Sequence, residues 1–266
     1  MRVLQALANL FSPQRHRENA ETQREKPLRA SVRPLRSCGE EKHWLVIALL
    51  VSFLLLPTFA QKSSKQAKVA QRTAVQRYEQ GVALLKQNNP ARAIVEFRAA
   101  LQLLPAFAEA QNGLGMALGQ QGQTDAAIAA FREAITLDPK FNEARLNLGL
   151  ALEQKADLEG AINEYRELLK LTPDSAEGHN ALGFALGRQG NLAAAVAEFD
   201  TAIKLQPDFH EAWYRMGVTR WYVQQYDEAI KYLRQAAKLN PKHFESQYYL
   251  GVCLQKTGKI AEAISA

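Results

Sequence analysis

The chain has 266 residues, of which 47% are hydrophobic and 23% charged, the composition of a folded protein without low-complexity bias. Its formal net charge of +6 is uneven: residues 1–43 carry +4, residues 44–60 carry none, and the remainder carries only +2. A nearly balanced folded part argues against nucleic-acid binding, and two cysteines, Cys38 and Cys253, make neither a disulfide framework nor a metal site.

The chain begins with a polar tail that leads into an apolar run. Residues 1–43 show no sustained hydrophobic periodicity and carry scattered proline and charge, which predicts a disordered, basic, cytosolic tail. The stretch WLVIALLVSFLLLPTFA, residues 44–60, follows it without a single charge. It is the only long uncharged stretch of the chain.

Two interpretations of residues 44–60 stay open. A 12-residue apolar centre, followed by Pro57 and by small residues ending at Ala60, is typical of a signal peptide cleaved before Gln61. The whole run of 17 residues is also just long enough for a transmembrane helix, with Trp44 at the interface. Basic residues lie on both sides, so charge sets no orientation. With the N-terminus inside, both interpretations place the rest of the chain outside the cytoplasm, either membrane-anchored or exported (periplasmic or extracellular).

After a predicted basic linker at residues 61–73, the chain repeats itself with a period of 34 residues. Proline, glycine and alanine each recur at this spacing. They are Pro105, Pro139, Pro173, Pro207 and Pro241; Gly81, Gly115, Gly149, Gly183, Gly217 and Gly251; and Ala93, Ala127, Ala161, Ala195, Ala229 and Ala263. Three ladders with one period indicate a repeat architecture. The units are 74–107, 108–141, 142–175, 176–209, 210–243 and a partial unit 244–266.

Each unit has the pattern of a helical hairpin. Counted from the first residue of a unit, positions 4, 7, 8 and 11 share a face of a first helix, and positions 20, 24 and 27 share a face of a second. Small residues at positions 8 and 20 allow the helices to approach, and a large side chain at position 24 fills the gap beside them. Gly122, Gly190 and Gly258 at position 15 suit a left-handed cap after the first helix. The proline at position 32 ends the second helix.

This pattern resembles the tetratricopeptide repeat (TPR) family over residues 74–266. The stretch EAWYRMGVTRWYVQQYDEAIKYLRQAAKLNP, Glu211 to Pro241, is similar to that family's signature of tryptophan, glycine, two alanines and proline. The resemblance implies an all-α fold, a right-handed superhelix (α-solenoid) of helix-turn-helix repeats. It also implies that the concave face binds proteins or peptides.

The resemblance further implies that positions 2, 5, 9, 12 and 13 of the first helices line the concave groove. Position 5 is Tyr78, Asn112, Leu146, Asn180, Tyr214 and Tyr248, and position 9 is Val82, Met116, Leu150, Phe184, Val218 and Val252. One helical turn separates the two rows, and Trp221 and Tyr222 extend them. They predict an apolar and aromatic track for a partner segment. The alternative is that these side chains only pack between neighbouring first helices.

No pattern of catalytic residues stands out beside the repeats. The five histidines form no His-x-x-x-His or His/Cys pair at metal-ligand spacing. The stretch GLGMALG, Gly113 to Gly119, lacks the preceding strand of a phosphate-binding loop, and no nucleophile lies in a recognisable elbow. The sequence therefore predicts no enzyme, no catalytic residue, no metal and no cofactor.

Three functions are compatible with these patterns. The favoured one is a non-catalytic scaffold, exported or membrane-tethered, that binds a segment of a partner protein in its concave groove. The second is the substrate-recruiting arm of a longer enzyme, such as a glycosyltransferase, because the last unit stops at residue 266 inside its second helix. The third is an assembly module that self-associates through the exposed C-terminal repeat.

Overall fold

The structure, a computed structural model, describes residues 65–265, with side chains described as far as residue 263. All regular elements among these residues are α-helices, so the predicted all-α repeat fold is confirmed. The first helices of the units are α1 (65–86), α3 (Ala108–Gln120), α5 (Asn142–Gln154), α7 (Ala176–Arg188), α9 (His210–Tyr222) and α11 (Phe244–Lys256). The second helices are α2 (Pro90–Leu103), α4 (Thr124–Leu137), α6 (Leu158–Leu171), α8 (Leu192–Leu205), α10 (Tyr226–Leu239) and α12 (Ile260–Ser265).

Helix α1 includes residues 65–73, which the sequence analysis placed in a basic linker. These residues contain neither glycine nor proline and are rich in alanine, lysine and glutamine, all of which favour a helix. The predicted tail and apolar run, residues 1–43 and 44–60, lie outside the described residues. Within residues 65–265, none of the helices combines the length and the hydropathy needed to cross a membrane.

The seam between the two helices of a unit is built from positions 8, 20 and 24. In units 1 to 5 the alanine at position 20 is fully buried, and the side chain at position 24 is pressed against the glycine at position 8. A Cβ atom added at Gly149 would lie 2.3 Å from Cε1 of Tyr165, and one added at Gly81 would lie 2.7 Å from Cε1 of Phe97. Only glycine therefore allows the helices to come this close.

The turn after each first helix is left-handed at position 15. Its φ angles are 75° at Gly122, 94° at Gly190, 78° at Gly258, 54° at Asn88, 63° at Ala156 and 62° at Gln224. The turn thus forms in all six units although only three of them supply the predicted glycine. In the other three, the packing of the two helices offsets the cost of a left-handed conformation at a residue with a Cβ atom.

The proline at position 32 closes each unit and joins it to the next. The residue before it has an extended φ between −132° and −137°, where the second helix ends. The proline carbonyl accepts a hydrogen bond from the side chain at position 4 of the following unit, as in Arg145 to Pro139, Trp213 to Pro207 and Gln247 to Pro241. Nε2 of His179 lies 2.9 Å from the carbonyl oxygen of Pro173 in the same way.

The first helices form the inner row of the solenoid. From α2 to α12, each helix packs against its neighbours in the chain. From α3 onward, each first helix also packs against the next first helix, whereas no two of the described second helices are in contact. The first helices consequently form one row and the second helices the other, and the row of first helices carries the predicted groove positions 5, 9 and 13.

Candidate functional site

The position-9 side chains form a continuous apolar row along the groove. Met116 and Leu150 are exposed, at 37% and 48% of their accessible area. The other four members of the row are half-buried: Val82, Phe184, Val218 and Val252. The row therefore offers apolar surface to a partner and also contributes to packing between neighbouring first helices.

The position-5 row is more mixed than the position-9 row. Tyr78, Leu146 and Tyr214 are half-buried against the core, and Tyr248 is 55% exposed. Asn112 and Asn180 are buried, at 4% and 7% exposure, so they offer almost no surface. Asn112 accepts a hydrogen bond from Asn147 and donates one to Glu143, which ties α3 to α5.

The groove contains a cavity of about 620 Å³ between α7 and α9. A cavity of this volume is within the range of binding pockets for small molecules and side chains. Its walls are largely apolar and aromatic, with two arginines and a glutamate among them. The lining includes Phe184, Arg188, Glu211, Tyr214, Arg215, Val218 and Tyr222.

A second cavity, of about 570 Å³, continues the groove towards α3. It shares Phe184 and Arg188 with the cavity between α7 and α9 and is lined further along by Met116, Asn147 and Leu150. The two cavities thus adjoin each other and extend across four consecutive first helices. An extended chain is the shape of ligand that fits such a track.

The two arginines beside the cavity are held by specific contacts. The guanidinium carbon of Arg215 lies 3.8 Å from the ring centroid of Phe184, and its Nε donates a hydrogen bond of 2.8 Å to Glu211. The Arg188 guanidinium lies 5.9 Å from the same ring and donates to the carbonyl oxygen of Glu153. Both distances to the ring are compatible with cation–π attraction. Phe184 and the two arginines therefore form one wall of the cavity, in which Glu211 is paired with Arg215.

Beneath this wall lies a buried carboxyl group, that of Glu153. It is 6% exposed and accepts a hydrogen bond of 2.8 Å from the hydroxyl of Tyr165. Burial raises the pKa of Glu153, and this effect outweighs the Tyr165 hydrogen bond and the charges of Arg215 and Arg188, which lower it. Burial also raises the pKa of the Tyr165 hydroxyl, and the adjacent Glu153 raises it further.

An aromatic cluster occupies the groove on the other side of the cavity, on α9 and α11. Trp221 packs against Tyr249 at a centroid distance of 4.9 Å, and Tyr214 packs against His243 at 4.7 Å. Tyr214 also packs against Tyr249, at 6.3 Å, so these two predicted groove residues join the fifth unit to the sixth. Tyr222, by contrast, is 68% exposed.

Several groove residues escaped the sequence analysis. Arg188, Glu153 and Arg215 were not selected, because they stand at positions 13, 12 and 6, whose residue types differ from unit to unit. Because these positions follow no common pattern, the sequence carries no signal that marks either arginine. The predicted track instead rests on the uniformly apolar position 9 and on position 5, which is tyrosine, leucine or asparagine.

The structure also brings together two histidines that the spacing search had passed over. The ring centroids of His210 and His243 are 5.1 Å apart, and Nε2 of His210 lies 3.7 Å from Oε2 of Glu211. Ligand atoms of these three residues all lie within 4.8 Å of one another. The histidines are nearly one repeat apart in the sequence, so a search for local metal-binding spacing could not find them.

Comparison with known families identifies the repeat. A tetratricopeptide repeat model matches residues 78–140, 114–176 and 214–266, which together make up more than half of the chain, and a second model of the same repeat matches residues 176–209. A search of the curated proteins finds no match to this chain.

Similar solved structures are TPR-like solenoids of low sequence identity. YrrB, a TPR protein with an unusual peptide-binding site, is 22% identical over 72% of this chain and 95% of its own, with a TM-score of 0.54. PilF of Pseudomonas aeruginosa is 20% identical over 74% of this chain and 89% of its own, with a TM-score of 0.66. TTC0263, a thermophilic TPR protein of Thermus thermophilus, is 20% identical over 68% of this chain and 99% of its own, with a TM-score of 0.57. At these identities the similarity shows the fold alone.

Proposed function

Because the chain belongs to the tetratricopeptide repeat family, we propose that it is a non-catalytic scaffold that binds an extended segment of a partner protein along its groove. The observation that carries this proposal is the pair of adjoining cavities that share Phe184 and Arg188. A peptide-binding site is described for YrrB, which has the same fold. The segment would run across the first helices, in contact with Leu150 in one cavity and Tyr222 in the other.

The lining of the cavity between α7 and α9 defines what the segment must supply. Its apolar walls suit an aromatic or aliphatic side chain, which would leave water on binding. Arg215 uses its Nε for Glu211, whereas its terminal nitrogens have no hydrogen-bond partner among residues 65–263. A backbone carbonyl or a carboxylate next to the apolar anchor would satisfy them.

Selection from a random peptide library displayed on phage, with the full chain as bait, tests this proposal. Enriched peptides should share an aromatic or aliphatic residue. They should fail to bind the double variant Leu150→Ala/Tyr222→Ala, which removes one exposed side chain from each cavity. Because both side chains are substantially exposed, their removal should change the unfolding free energy by no more than about 0.5 kcal/mol each.

The matched control is Val95→Ala, which removes a side chain that is 63% exposed on α2, a second helix outside the groove. Selected peptides should bind this variant as they bind the unmodified chain. Equal binding to the double variant and to the control would place recognition elsewhere and overturn the proposal.

We also propose that the repeats lie outside the cytoplasm, tethered or released. Only the uncharged run at residues 44–60 supports this proposal. Fractionation of the source cells followed by N-terminal sequencing tests it: a chain that begins at Gln61 indicates cleavage, and an intact N-terminus in the membrane fraction indicates an anchor. A chain with an intact N-terminus in the soluble cytoplasmic fraction would contradict both.

A further inference from the structure

The cluster of His210, Glu211 and His243 lies where two consecutive first helices begin. His210 is the first residue of α9, and His243 is the N-cap residue of α11. All three side chains are half-buried. The cluster therefore lies at the junction of the fifth and sixth units, beside the groove and within reach of solvent.

Each histidine offers one ring nitrogen as a ligand. Nε2 of His210 is buried without a hydrogen-bond partner among the described residues, which is costly for a polar atom. Nδ1 of His243 lies 2.7 Å from Oγ of the fully buried Ser246 and accepts the N-cap hydrogen bond, of 3.3 Å, from the backbone N–H of the same residue. Binding of a metal through Nε2 requires the tautomer in which Nδ1 carries the proton and donates it to Oγ of Ser246, so the longer N-cap bond is given up.

Glu211 supplies the third ligand and a negative charge beside the histidines. It uses Oε1 to accept a hydrogen bond from Arg215, which leaves Oε2 on the side of His210. The exposed carboxylate of Glu245 lies nearby, with its Oε2 3.5 Å from Nε2 of His243. Imidazole and carboxylate are ligand types that suit a divalent transition-metal ion.

We propose that His210, Glu211 and His243 bind a divalent transition-metal ion of the kind that prefers imidazole, with Zn²⁺ as the representative ion. Ligand atoms of a tetrahedral Zn²⁺ ion lie roughly 3.4 Å apart. The ligand atoms of this cluster lie within 4.8 Å of one another, so small side-chain rotations bring them to the distances that Zn²⁺ requires. The preference for imidazole excludes Mg²⁺ and Ca²⁺, which take oxygen ligands. The ion would connect the start of α9 to the start of α11 and fix the angle between two units of the groove.

Titration of the metal-free full chain with Zn²⁺ by calorimetry tests the proposal, with the visible absorption of Co²⁺ as a second measure. We expect the unmodified chain to bind one equivalent of Zn²⁺. The variants His210→Ala and His243→Asn should each bind Zn²⁺ at least about tenfold more weakly. Asparagine at residue 243 keeps an N-cap acceptor for α11 and removes only the imidazole. Excess Mg²⁺ should not displace Zn²⁺.

His179→Gln is the matched control. His179 has both ring nitrogens in contact with acceptors, on Pro173 and Glu198. Glutamine should keep the first of these contacts, since Gln247 makes the equivalent contact with Pro241. The control should bind Zn²⁺ as the unmodified chain does. Failure of the unmodified chain to bind Zn²⁺ at micromolar concentration, or retention of binding by either site variant, would overturn the proposal.

Discussion

The seam inside each unit and the groove surface of the first helices differ in how strictly they repeat. Position 8 of the seam is glycine and position 20 is alanine in all six units, whereas position 13 of the groove changes between lysine, glutamine, arginine and tyrosine. The seam is close-packed, so few side chains fit it, while the groove faces solvent and is free to match a partner. The fold therefore depends on the seam, and the proposed recognition depends on the groove.

The largest effect on stability should come from the seam variant Gly149→Ala. The added Cβ atom would lie 2.3 Å from the ring of Tyr165, whose hydroxyl is held by Glu153, so the ring cannot move away without breaking a buried hydrogen bond. Overpacking of this kind should lower the free energy of unfolding by about 2–3 kcal/mol in urea denaturation.

Gly251→Ala is the matched control for Gly149→Ala, because Gly251 occupies the same position in the sixth unit. Among the described residues, a Cβ atom there meets no atom closer than 3.8 Å. The control should be neutral or stabilise the helix by up to about 1 kcal/mol. Equal destabilisation by the two variants would show that the ring contact does not govern the seam.

The next effect should come from the turn at position 15. Gly122 has a φ of 75° and no atom within 4 Å of an added Cβ, so Gly122→Ala isolates the cost of the left-handed conformation. It should destabilise by about 1–2 kcal/mol. The reverse change, Ala156→Gly, relieves a φ of 63° and should be stabilising by up to about 1 kcal/mol. Thermal unfolding measures both changes. If the two variants shifted the unfolding midpoint of the unmodified chain in the same direction, this account would be contradicted.

A smaller effect, dependent on pH, should appear where the seam meets the groove, at Glu153. Burial raises the pKa of its carboxyl above the ordinary value of 4.5. The protonated carboxyl group thus makes its full contribution to stability below about pH 4.5. This contribution is lost as the pH rises through the raised pKa of the folded state. Glu153→Gln keeps an acceptor for Tyr165 and does not titrate.

The unfolding free energy of the unmodified chain, relative to that of Glu153→Gln, should accordingly decrease as the pH is raised from about 4 to about 8. Denaturation at a series of pH values measures this difference. Parallel pH profiles for the two proteins would mean that the carboxyl group titrates alike in the folded and unfolded states.

The seam was largely predictable from the sequence, because its requirements are local and recur in every unit. Glycine at position 8 and a large side chain at position 24 imply a close contact, proline at position 32 implies the end of the second helix, and the structure confirms both. The sequence pattern predicted the left-handed turn only in the units that have glycine at position 15. At Ala156 and Gln224 the same conformation is imposed by helix packing, which has no signature in the residue itself.

The groove was less predictable, because its contacts join different units. Asn112 and Asn180 were predicted to line it, yet both are buried, since position 5 also faces the next first helix. For Asn112 the partners are Asn147 and Glu143 of the following unit. The proximity of His210 and His243 likewise depends on how consecutive units stack, which the repeat period alone does not specify.

The most direct test of the division between seam and groove measures binding and stability in one variant, Tyr222→Ala. A peptide from the library selection should bind this variant at least about tenfold more weakly, equivalent to about 1.4 kcal/mol, by calorimetry. Its unfolding free energy should stay within about 0.5 kcal/mol of the unmodified chain, since Tyr222 is 68% exposed. Unchanged affinity, or a loss of affinity matched by an equal loss of stability, would contradict the assignment of recognition to the groove.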